Sequence, residues 1–111
     1  MRDEDKKFLS DILESIDAIE EYIGPIHLFE NYEKNKMLRR AVEREIEIIG
    51  EAVNNLTHAT PPVDLKYSRQ IINTRNKVAH AYDAVNHSII WGIIINHLPA
   101  LRDEVKNLLG E

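Results

Sequence analysis

The residues able to do chemistry in this chain cluster in one short segment, Arg75-Asn76-Lys77-Val78-Ala79-His80-Ala81-Tyr82. Arginine and histidine together suit cleavage of a ribose phosphodiester without a metal. A histidine titrating near about pH 6.5 can take the proton of a 2′-hydroxyl or protonate a departing 5′-oxygen. Arginine offers a planar fork of donors to the charge that builds on the phosphate oxygens. Asn76 could hold a phosphate oxygen or fix the imidazole ring. Plainer roles stand beside these. Arg75 falls on an apolar stripe, where a guanidinium is either held in an ion pair or snorkels out at a bundle edge. His80, near a helix C-terminus, would complement the helix dipole as any cation does there. Tyr82 also reads as an ordinary amphipathic residue at a helix end.

Helical geometry constrains how these side chains meet. At about 100° per residue, Arg75 and Tyr82 share a face while His80 points about 140° away. One unbroken helix cannot gather all three. The chemistry therefore requires a helix end near His80, a site assembled from two chains, or both.

The elements that must position the segment follow from apolar spacing. Phe8, Leu9, Ile12, Leu13, Ile16, Ile19 and Ile23 recur at three- and four-residue intervals, the pattern of an amphipathic helix. Gly24-Pro25 ends it. Leu38, Val42, Ile46, Ile49, Val53 and Leu56 form a second stripe, placed on a long helix from about Glu33 to Leu56. Pro61-Pro62 marks a turn. Asp64 is the expected N-cap of a third helix carrying Ile71, Ile72, Arg75 and Val78 on one face. That helix should end near His80 to Tyr82, and Asn86 should cap the next. The fourth helix, through Ile89, Trp91 and Leu98, is apolar all round, so it is either the most buried or shared with a partner chain. Pro99 should kink or restart it. No segment alternates as a strand does. The expected fold is all-α, a four- to five-helix bundle forming a single domain over residues 1–111.

Composition narrows the classes further. There are no cysteines, which removes disulfides, thiolate metal sites and cysteine nucleophiles. The N-terminal Met1-Arg2-Asp3-Glu4-Asp5 is too acidic for a signal peptide, and the apolar run from Ile89 to Ile95 is too short to span a membrane. The expectation is a soluble, cytoplasmic protein with no membrane partner. Net charge is −5, which argues against a broad electrostatic grip on nucleic acid. Acid, however, concentrates in residues 1–21, whereas between residues 64 and 82 Lys66, Arg69, Arg75 and Lys77 meet only Asp64. Arg69 and Lys77 are thus candidate RNA phosphate contacts. No Glu is followed three residues later by His, so the ligand pairs of a di-metal bundle are missing, and His80, His87 and His97 show no ligand-like spacing.

Arg75-Asn76-x-x-x-His80-x-Tyr82 resembles the R-x4-H-x-Y motif of the HepT-like toxins, a branch of the HEPN superfamily. Ile49-Gly50-Glu51-Ala52 and the Trp91 helix followed by Leu98-Pro99-x-Leu101 resemble two further signatures of that family, so the likeness covers nearly the whole chain. The resemblance implies a homodimeric helical bundle whose two motifs face one cleft. It implies a metal-independent ribonuclease of a toxin–antitoxin pair, without cofactor, with Arg75 and His80 as the catalytic pair. It also implies a partner, the minimal nucleotidyltransferase antitoxin MntA, which silences the toxin by adding AMP to the motif tyrosine, here Tyr82. Ala81 and the loop Asp83-Ala84-Val85-Asn86 depart from the family's usual glycine and aromatic-glycine, which bears on modification more than on cleavage. Gly50 and Ala52 permit close helix approach, and Glu51 is either the counter-charge of Arg75 or a solvated residue. A second reading, favoured by the acidic balance, is a catalytically inactive binding or regulatory partner of a nucleotidyltransferase.

Overall fold

The first apolar stripe folds as one long helix, α1 (Asp3–Ile23), in a computed structural model that describes residues 1–79 and 86–111. Leu9, Ile12, Ile16 and Ile19 are its buried ridge, each contributing about 1.5–3 kcal/mol on leaving water. Its start is fixed by Asp5, a buried carboxylate that accepts from the Arg2 backbone N–H at 3.3 Å and from the Arg2 guanidinium at 3.3 Å. Gly24, at φ 75°, closes it as expected.

The second stripe differs from expectation at its beginning. The chain forms a short α2 (Phe29–Lys34), breaks at Asn35, and only then enters α3 (Lys36–Thr57). Asn35 turns the chain because its side-chain oxygen accepts the Leu38 N–H at 3.0 Å, an N-cap that starts α3 anew. Tyr32 of α2 is wholly buried and lies 5.4 Å from the Trp91 ring, so α2 docks by aromatic contact.

The third helix, α4 (Ser68–Ala79), begins a turn later than Asp64 predicts. Asp64 is exposed, and Ser68 organises the entry instead. The Leu65 N–H donates to Ser68 Oγ at 3.0 Å, and that hydroxyl donates back to the Leu65 carbonyl at 2.9 Å. The turn is also tied to the end of the chain, where the Glu104 carboxylate accepts the Lys66 N–H at 3.1 Å. Residues 80–85 lie outside the described residues, and with them the expected helix end near His80 to Tyr82.

Asn86 caps α5 (His87–Asn96) as anticipated, accepting the Ser88 N–H at 2.9 Å. Pro99 restarts rather than kinks the helix: His97 ends α5 and opens α6 (Leu98–Leu109). All described elements are helices. α3 is the central post, packed on α1 and α4, while α6 closes against α1 and α5. One apolar cluster joins α1 through α6. α5 buries Ile90, Ile93 and Ile94 but leaves Ile89 and Ile95 exposed at 43% and 39%. Among the described residues no helix is long and apolar enough to cross a membrane.

Candidate active site

Helix α4 presents two faces of different character. Ile71, Thr74 and Val78 are buried toward α3, and the Thr74 hydroxyl satisfies itself on the Gln70 carbonyl at 2.8 Å. The opposite face holds Arg69, Gln70, Asn73, Asn76 and Lys77, all exposed. Arg75 sits between the two, partly buried.

Its placement depends on Gly50. A Cβ added at Gly50 would overlap the Arg75 Cβ and lie 2.6 Å from its Cγ, so the α3–α4 crossing closes on the arginine stem. Only glycine leaves room for that approach. The stem is thereby clamped at its root. The Arg75 Nε is buried and has no hydrogen-bond partner among the described residues. A buried donor without a partner costs about 1–3 kcal/mol.

Glu51, the expected counter-charge, is not brought to Arg75. It is exposed and lines a surface hollow with Phe8, Asp11 and Asn55 on the α1 side of α3. One residue on from Gly50 is a rotation of about 100°, which carries the carboxylate away from α4. Among the described residues no salt bridge joins Arg75 to any carboxylate. Asn76 and Lys77 are exposed beside Arg75, and Arg69 stands nearer the N-terminal end of the same helix. His80 and Tyr82 lie outside the described residues.

Sequence reasoning missed the two residues that set where α4 starts. Ser68 was findable, being a capping type in front of an apolar period. Glu104 was not, since its contact with Lys66 spans 38 positions and leaves no local trace.

Fold and site together define a small helical bundle in which a partly buried arginine is clamped at a helix crossing. The chain matches the family described as Ribonuclease HepT-like over residues 12–108, and it belongs to that family. It is 36% identical over 105 residues to a candidate RNase of Caldanaerobacter subterraneus subsp. tengcongensis, covering 94% of this chain and 93% of the relative. It is 34% identical over 114 residues to a candidate RNase of Methanocaldococcus jannaschii, covering 96% and 91%. It is 33% identical over 114 residues to a candidate ribonuclease HepT of Thermococcus cleftensis, covering 97% and 98%. No solved structure matches the chain.

Proposed function

We propose that this chain is a metal-independent endoribonuclease, with Arg75 and His80 as its catalytic pair. The observation that carries the reading is Arg75 itself: its stem is fixed by Gly50 and its Nε is left without a partner among the described residues. A guanidinium whose stem is fixed in this way suits a charge that appears only during reaction. In the proposed reaction a ribose 2′-oxygen attacks the adjacent phosphorus, its proton passing to a base, and the P–O5′ bond breaks with a proton delivered to the leaving oxygen. His80 serves in that proton traffic, Arg75 stabilises the phosphate oxygens, and Asn76 steadies phosphate or imidazole. Arg69 and Lys77 add contacts to neighbouring phosphates. Membership of the HepT-like family and the names of the relatives support the same activity.

The working unit in this reading is a homodimer. Ile89, Gly92 and Ile95 fall on one side of α5; both isoleucines are exposed, and a Cβ on Gly92 would meet nothing within 4 Å among the described residues. An apolar stripe with a glycine at its centre suits a second copy approaching closely. Tyr82 is the site at which a nucleotidyltransferase of the MntA type adds AMP. A phosphate placed there would occupy Arg75 and block substrate. Glu51, exposed on the far side of α3, serves as a surface group in this scheme.

Incubating the purified chain with total RNA in EDTA, beside His80→Ala, tests the reading. Fragmentation by the wild type alone is expected; equally intact RNA in both samples sinks it. A second reading, an inactive partner of a nucleotidyltransferase, is favoured by the acidic hollow that Asp11, Glu14 and Glu45 line between α1 and α3. The same assay separates the two. Co-expression with a nucleotidyltransferase followed by mass spectrometry should find AMP on Tyr82, and an unmodified tyrosine in a silenced pair would remove that part.

A further inference from the structure

The outer face of α4 ends in a hollow of which the proposed cleavage uses only Arg69. Its volume is about 420 Å³, and Thr57, Lys66, Arg69, Gln70, Ile72 and Asn73 line it together with Asp64 and Leu65. That volume falls within the range of small-ligand sites, about 300–1,000 Å³. From Ser68 to Ala79 the helix carries no carboxylate, so its exposed arc of Arg69, Asn73, Asn76 and Lys77 is cationic and amide-rich throughout. Asn76 and Ile72 lie on the helix surface between Arg75 and the hollow. Arg69 stands about 9 Å along the axis from Arg75, within reach of a neighbouring nucleotide.

The lining argues for a base rather than a bare phosphate. Lys66 and Arg69 face one carboxylate, Asp64, in the hollow, which leaves a single net positive charge suited to the one phosphate a nucleotide carries there. Beside these charges stand the amides of Gln70 and Asn73 and the Thr57 hydroxyl, which supply both donors and acceptors, next to the apolar surfaces of Leu65 and Ile72, while the Ser68 hydroxyl is engaged with Leu65. Sequence-specific recognition of RNA targets unpaired bases in this manner, hydrogen-bonding their edges and covering their faces.

We propose that this hollow is a nucleobase subsite that selects where single-stranded RNA is cut, with Asn73 and Gln70 reading the base edge and Arg69 holding its phosphate. The strand would cross α4 over Asn76, from Arg75 to the hollow. The proposal rests on the ribonuclease reading of the preceding subsection, and the test keeps the two apart.

Wild type, Asn73→Ala, Asn73→Asp and Gln70→Ala are each incubated with total RNA in EDTA, and the new ends are sequenced. Gln70 and Asn73 are exposed, so all variants should fold, as thermal unfolding will verify. The wild type is expected to prefer one base at a fixed offset from the cut. The substitutions should reduce that preference roughly five- to tenfold, the worth of one hydrogen bond, and Asn73→Asp should change which base is favoured. No preference in the wild type, or one unchanged in all three variants, overturns the subsite and leaves the nuclease standing. If the wild type cuts nothing, the ribonuclease reading falls and the subsite is judged by binding of the homotetranucleotides of A, C, G and U. Selective binding that Asn73→Asp loses or redirects upholds it; equal or absent binding, or selectivity unchanged in Asn73→Asp, overturns it.

Discussion

Arg75 answers to stability and to activity in opposite ways. Its buried Nε has no partner among the described residues, so Arg75→Met, which keeps the stem and removes the unpaired donor, should be neutral or stabilise by roughly 1 kcal/mol. The same substitution should lower RNA cleavage about 10²–10³-fold, and Arg75→Lys should not restore it, because a single ammonium cannot form the planar fork. Urea unfolding and initial rates on one RNA measure both. A large loss of stability in Arg75→Met would mean the arginine is an ordinary structural group. Tyr32 offers a parallel case without chemistry. Its hydroxyl is buried and unpartnered among the described residues, and burial pushes the phenol well above its usual value of 10.0. A raised folded value means the fold keeps its proton longer than the unfolded chain does. Stability is therefore full below about pH 10 and declines as pH rises further. Tyr32→Phe should abolish that part of the alkaline decline, read as the difference between the two proteins' melting temperatures from pH 8 to 11.

At the level of helices, Gly50 inverts an ordinary rule. Replacing glycine by alanine inside a helix normally gains about 1 kcal/mol. Here the added methyl would strike the root of Arg75, so Gly50→Ala should instead destabilise by roughly 1–3 kcal/mol and cut activity as the arginine is displaced. Chemical denaturation with a parallel cleavage assay checks it; a more stable, fully active variant would refute the clamp. The helices themselves were legible to differing degrees. α1 and α3 announce themselves because their apolar residues recur over several turns, and Asn86 and Pro99 carry local signals of their own. α2 went unread, since six residues from Phe29 to Lys34 are too few to show a period. The start of α4 was misread at Asp64 because a remote carboxylate on α6 holds the preceding turn. Arg75 could be picked out as a candidate from an apolar stripe that should not hold a charge. The path of Glu51 could not, because which side of α3 meets α4 is decided by packing, not by the neighbouring Gly50.

Across the whole molecule, acidic groups are unevenly distributed. Carboxylates crowd α1 and the facing side of α3, while α4 is free of them. In the proposed homodimer, the exposed side of α5 is where a second copy should dock. A Cβ at Gly92 meets nothing within 4 Å among the described residues, and replacing glycine adds helix propensity, so the Gly92→Glu monomer should fold. It should nonetheless convert a dimer to a monomer in light scattering, and abolish cleavage if the cleft is composite. A dimer that survives the substitution would place the interface elsewhere. The hydrogen bond from the Lys66 backbone to Glu104 joins the turn before α4 to the last helix of the chain. That single amide proton is consequently a gauge. Its chemical shift reports the bond to Glu104, so one NMR signal tracks whether α6 is docked on the entry to α4, independent of any RNA.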